Sequence, residues 1–136
     1  MSHVLLIDDS ERVRETVKVM LESAGFDVSV ASDGVDGLNQ FREDRFDVVV
    51  SDVVMPRKDG LETIREIRDL SPDIPIIAMS GGTHFSDHGC GQGLTSYALC
   101  AAEELGATRA ISKPFSRQEL LDAIGESVME AGGKLF

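Results

Sequence analysis

Val4-Leu5-Leu6-Ile7-Asp8-Asp9-Ser10 sets four apolar residues in a row against two adjacent carboxylates and a hydroxyl able to cap a helix. A short unbroken apolar run of this kind reads as a strand buried on both faces, as in a parallel sheet covered by helices. The pattern returns at Phe46-Asp47-Val48-Val49-Val50-Ser51, which is β-branched, central and tipped by Asp52. It returns again from Ile74 to Met79, closed by Ser80, and from Ala107 to Ser112, closed by Lys113-Pro114. Asp27-Val28-Ser29-Val30-Ala31 alternates instead and predicts a strand nearer an edge.

Helical spacing fills the gaps between these runs. Ser10 caps a stretch with Val13, Val17, Met20, Leu21 and Ala24 inward, and Gly25 ends it where a left-handed residue is wanted. Asp33 caps a shorter one carrying Val35, Leu38 and Phe41. A turn over Met55-Pro56 and Asp59-Gly60 leads into a helix with Leu61, Ile64, Ile67 and Leu70, broken by Ser71-Pro72. Leu94, Tyr97, Ala98, Ala101, Ala102 and Leu105 form the next stripe, stopped by Gly106. Ser116-Arg117-Gln118-Glu119 is a capping box that opens a last helix with Leu120, Leu121, Ile124 and Val128. Strand and helix alternate five times, which predicts an α/β fold with a parallel sheet and right-handed crossovers.

The chain of 136 residues suits one domain, read as residues 1–131 with a frayed tail over 132–136. Apolar content of 42% and charged content of 27% are ordinary for a globular chain. A net charge of −11 argues against direct nucleic-acid binding, which needs a clustered basic face. Apolar runs are far too short to span a membrane, and His3 stands directly before the first strand, leaving no room for a signal peptide. Cys90 and Cys100 make no disulfide framework, so a reducing cytoplasm is the expected compartment.

The chemistry gathers where the strands end. Ligands of open α/β sheets bind in the crevice at the carboxyl ends of the strands, where Asp8-Asp9, Asp52 and Lys113 would converge. Carboxylates at close range raise one another's pKa unless a cation lies among them, and such an oxygen set suits Mg²⁺. The residues thus predict a metal-assisted phosphoryl site with an aspartate at its centre. Taken singly, each motif has a plainer reading: a solvated helix start for Asp8-Asp9, a cap for Asp52, a turn residue for Ser80 and loop chemistry for Lys113-Pro114-Phe115. Spacing and order together favour the site.

With Asp8-Asp9, the Asp52-x-x-Met55-Pro56-x-x-Asp59-Gly60 stretch, Ser80 and Lys113-Pro114-Phe115 in place, the chain resembles the receiver domain of two-component response regulators from about Val4 to Val128. The resemblance implies a flavodoxin-like (βα)5 fold with strand order 2-1-3-4-5 and its switch point between the first and third strands. It further implies that Asp52 accepts a phosphoryl group from a sensor histidine kinase or phosphotransfer protein. Asp9, Asp8, Asp52 and the backbone carbonyl of Val54 would hold Mg²⁺, while Ser80 and Lys113 bind the phosphoryl oxygens. The Lys113-Pro114 bond resembles the family's cis peptide. An altered affinity for a downstream protein, with a possible homodimer, would be the output. The chain would catalyse only its own phosphorylation and slow dephosphorylation.

Two departures stand out. Relatives carry Tyr or Phe three residues before the lysine, where this chain has Ala110, so Ser80 and its loop become the expected movers, with Tyr97 a candidate to reach into the space. The stretch Gly81–Gly93 is roughly ten residues longer than an ordinary connection and holds His84, His88 and Cys90 in no standard zinc spacing. High mobility of that loop, with ordering on phosphorylation or docking, is expected. Rival functions are an aspartate-nucleophile phosphohydrolase, a flavin module and a phosphorylation-independent interaction domain. The hydrolase pattern sets two acids one residue apart with the first as nucleophile, unlike Asp8-Asp9, and the acidic first loop lacks a flavin-phosphate cradle. Val54 and Gly82 flank the expected water approach and cannot orient water, so Val54→Asn should speed loss of the phosphoryl group, measured as acyl-phosphate half-life.

Overall fold

Residues 2–53, 60–80 and 106–130 are those that the structure, a computed structural model, describes. Their order is β1 (His3–Ile7), α1 (Glu11–Ser23), β2 (Asp27–Ala31), α2 (Gly34–Glu43), β3 (Val48–Asp52), α3 (Gly60–Leu70), β4 (Ile76–Ser80), β5 (Arg109–Ser112) and α4 (Arg117–Glu130). The strands form one parallel sheet in the order β2-β1-β3-β4-β5. This is the doubly wound arrangement that the alternation and the resemblance implied. The register sets Ile7 beside Ala31 and Ser51, Asp52 beside Met79, and Ser80 beside Ser112. The chemistry-bearing strand ends therefore lie along one rim.

Side-chain alternation splits the interior in two. Leu5, Ile7, Val49, Ile76 and Ala78 face one side with Leu38, Ile64 and Ile67 of α2 and α3. Val4, Leu6, Val48, Val50, Ile77 and Met79 face the other with Val17 and Leu21 of α1 and Leu120 and Ile124 of α4. Residues in β1, β3 and β4 must be apolar in succession because both faces are covered, whereas β2 at the edge is largely half-exposed.

Local chemistry fixes the ends. Ser10 accepts the Val13 N–H at 3.3 Å and Asp33 accepts the Asp36 N–H at 2.9 Å. Gly25 carries φ 96° after α1, and Ser116 and Glu119 cap each other reciprocally at 3.1 and 3.3 Å.

Some expectations shift. β4 starts at Ile76 rather than Ile74 because Pro75 has no N–H to donate, although Ile74 stays buried. β3 begins at Val48, since Phe46 leaves the ladder to stack on Phe41 and lie against His3. Regular β5 pairing begins at Arg109 rather than Ala107. Val35 is 40% exposed and Leu70 51%, so neither lines the core; buried Thr63 takes an inward place on α3 beside Ile64 and Ile67. The Gly81–Gly93 loop, the helix expected over 94–105, the Met55-Pro56 turn and the tail lie outside the described residues.

A clamp at the far rim was not read from the sequence. The Arg68 guanidinium donates to the carbonyls of Gly106 (3.0 and 2.7 Å), Ser71 (3.2 Å) and Pro72 (2.8 Å), and to the Thr108 hydroxyl (3.3 Å). Gly106 has φ 128°, and a Cβ there would come within 2.8 Å of the Arg68 stem. α3 is thereby tied to the entrance of β5. Arg68→Met keeps the stem and removes the donors, and should cost about 2–3 kcal/mol. A denaturant midpoint unchanged from the parent chain would rule out this role.

Candidate phosphoryl-transfer site

The rim at the ends of β1 and β3 concentrates charge. Asp8 follows β1 and is fully buried, with every polar group engaged. Its N–H donates to Ala31 O at 3.1 Å, its Oδ1 accepts the Ser10 N–H at 2.8 Å, and its Oδ2 accepts from Lys113 Nζ at 2.8 Å. Its carbonyl accepts from Arg14 Nη1 at 2.7 Å. Asp52, the last residue of β3, is 5% exposed and lies 3.5 Å from the same ammonium. Lys113 thus sits closer to Asp8 than to Asp52. Asp9 is exposed, yet one oxygen from each of Asp8, Asp9 and Asp52 lies within 4.8 Å of the others.

That donor set fits a hard divalent cation. Carboxylate oxygens from two strand ends, close enough to share one ion and carrying formal charge beyond what Lys113 offsets, suit an oxygen-seeking ion of the Mg²⁺ kind. Val54, whose carbonyl was expected among the ligands, lies outside the described residues.

The backbone beneath Asp52 is tightly packed. The Val53 N–H is shared between Asp52 Oδ1 and Met79 O, each at 2.8 Å. The Ser51 hydroxyl donates to the Asp52 carbonyl at 3.0 Å. Gly60 donates its N–H to Val53 O at 2.9 Å, and a Cβ on Gly60 would fall 2.1 Å from Asp52 O. Only glycine admits that approach. From sequence alone Gly60 belongs to a turn, and nothing singles out Arg14 or Ser51. The Asp59-Gly60 pair was a usable signal for Gly60, whereas an arginine one turn into an amphipathic helix carries none.

Ser80 ends β4, is buried, and accepts the Lys113 N–H on its carbonyl at 2.8 Å. The Lys113-Pro114 peptide is cis. Ala110 pairs with Ala78 in register and packs, half-buried, against the α2–α3 face. His84, His88, Cys90, Tyr97 and Gly82 lie outside the described residues. A groove of about 370 Å³ opens beside Lys113, lined by Val13, Thr16 and Met20 of α1 and by Pro114 and Phe115.

Burial pushes the Asp52 carboxyl up to about 6, opposed by Lys113 and the Val53 N–H and reinforced by Asp8 and Asp9. The folded chain therefore holds the Asp52 proton more tightly than the unfolded chain. Without metal, stability falls as pH rises from about 4 through about 6, and the full penalty persists above that. Asp52→Asn should stabilise the metal-free protein by about 2 kcal/mol at pH 7.5. The gain should vanish below pH 4, as followed by melting temperature against pH.

Comparison with known proteins agrees with this geometry. Residues 4–125 match the model of the response regulator receiver domain. The response regulator MprA of Mycobacterium avium is 36% identical over 118 residues, covering 87% of this chain and 47% of that protein. The chain thus spans about half the length of the curated relatives it matches. A receiver domain protein from Clostridium thermocellum superposes with TM-score 0.82 at 29% identity, over 97% of this chain and 98% of that one. Response regulator TrrA from Thermotoga maritima, solved in complex with Mg²⁺ and BeF, superposes with TM-score 0.73 at 28% identity, over 93% and 99%. A buried aspartate at the switch point of a 2-1-3-4-5 sheet, the matched model and these likenesses lead to one conclusion: the chain belongs to the response regulator receiver domain family.

Proposed function

We propose that this chain is a phosphorylation switch in which Asp52 accepts a phosphoryl group from the phosphohistidine of a sensor histidine kinase or phosphotransfer protein. The observation that carries this reading is the meeting of Asp8, Asp9, Asp52 and Lys113 on one rim, with the acceptor buried and the cation-ready oxygens around it. An oxygen of Asp52 attacks phosphorus in line, a P–O bond forms, and the P–N bond to the donor imidazole breaks as the imidazole takes up a proton. Phosphoryl transfer asks for alignment and charge neutralisation, which Lys113 provides beside Asp52 as a point charge. Asp8, Asp9, Asp52 and the Val54 carbonyl would hold Mg²⁺, which would supply the remaining neutralisation. Ser80 donates its hydroxyl to the phosphoryl group, and the altered surface changes affinity for a downstream protein. The chain acts on itself and turns over no external substrate.

A second reading rests on Ala110. The small side chain beside Ala78 offers no ring to swing, which is compatible with an interaction domain that works without phosphorylation.

Incubation with Mg²⁺ and acetyl phosphate should add the mass of one phosphoryl group, and Asp52→Asn should abolish the gain. Beryllofluoride with Mg²⁺ should perturb the spectrum of the parent chain and leave the Asp52→Asn variant unchanged. No modification by either reagent favours the second reading. Sustained turnover of a chromogenic phosphate ester would favour a phosphohydrolase instead.

A further inference from the structure

The carbonyl that Arg14 holds belongs to the peptide joining Asp8 to Asp9. Its direction fixes the plane of that peptide and with it the position of the Asp9 Cα from which the carboxylate is carried. Asp8 is secured independently through Ala31, Ser10 and Lys113, so three of its groups stay anchored without Arg14. Asp9 is exposed and is the acid of the trio that the fold constrains least. The arginine is itself well placed to act as a strut. Its backbone N–H donates to Ser10 O at 2.9 Å within the first turn of α1, and its guanidinium reaches back to Asp8 O at 2.7 Å. The helix start, the acidic turn and the side chain close into one hydrogen-bonded ring.

We propose that Arg14 is a positioning residue for cation binding, aiming Asp9 into the site by locking the Asp8–Asp9 peptide. The inference rests on the receiver reading of the acidic cluster. An arginine near a cation site has two opposing effects. Its charge repels the ion, while its hydrogen bond pre-orders a ligand. Arg14 is half-buried, so water screens the first effect only in part. The second remains, because an unheld ligand must be ordered when the ion binds. We take pre-ordering to outweigh the repulsion, because the bond goes to a main-chain oxygen and no carboxylate oxygen is taken from the ion.

The test is Mg²⁺ affinity, measured by calorimetric titration and by the rise of melting temperature with Mg²⁺, on the parent chain, Arg14→Met, Asp9→Asn and the double variant. Should Arg14→Met not fold, Arg14→Gln takes its place. Arg14→Met should bind Mg²⁺ about tenfold more weakly. In the Asp9→Asn background the same change should have no further effect, because nothing is left to aim. Unchanged or tighter binding by Arg14→Met, or an equal loss in both backgrounds, would overturn the assignment while leaving the acidic site intact. A parent chain that shows no response to millimolar Mg²⁺ would overturn the site reading and the strut together.

Discussion

The contact between Lys113 Nζ and Asp8 Oδ2, 2.8 Å long, joins two parts of the chain that share no strand pairing. β1 and β5 are separated by β3 and β4, so the Lys113 side chain must return across the rim for its ammonium to arrive. The Lys113 N–H on the Ser80 carbonyl fixes the start of that return. An unpaired buried carboxylate is costly, and Asp8 at zero exposure depends on this partner. The remaining site is arranged around it: Asp52 shares the ammonium, and Ser80, the last residue of β4, anchors the lysine main chain.

Burial and repulsion then divide the labour between the acids. Asp8 is saturated with partners, Asp52 is desolvated but only partly compensated, and Asp9 is left in water. A group that is buried and undercompensated is poised for whatever brings positive charge or removes its own. The packing under it is correspondingly rigid, with Gly60 against the Asp52 carbonyl and the Ser51 hydroxyl on the same oxygen.

Much of this was legible from residue order. Four consecutive apolar residues in β1 and three valines in β3 can be satisfied only by helices on both sides, which settles the parallel sheet. Asp8, Asp52 and Lys113 were legible because each follows such a run directly. Val35 and Leu70 were misplaced because helical periodicity locates a stripe and not its margins, and both fall at helix ends. Arg14 and Arg68 were invisible because the Arg14 partner and all but one of the Arg68 partners, the Thr108 hydroxyl, are main-chain carbonyls, which every residue possesses and no side-chain pattern marks. Gly60 was read as a turn residue because crowding against Asp52 exists only once the chain is folded.

The sheet also acts as a partition. Leu5 and Leu6 are neighbours in the chain but belong to different interiors, one shared with α2 and α3, the other with α1 and α4. Steric repacking on one side has no direct route to the other except through backbone displacement of the strands themselves. Sequence drift in the two compartments can therefore proceed largely independently, and a lineage could remodel one flank for new associations while inheriting the opposite flank unaltered.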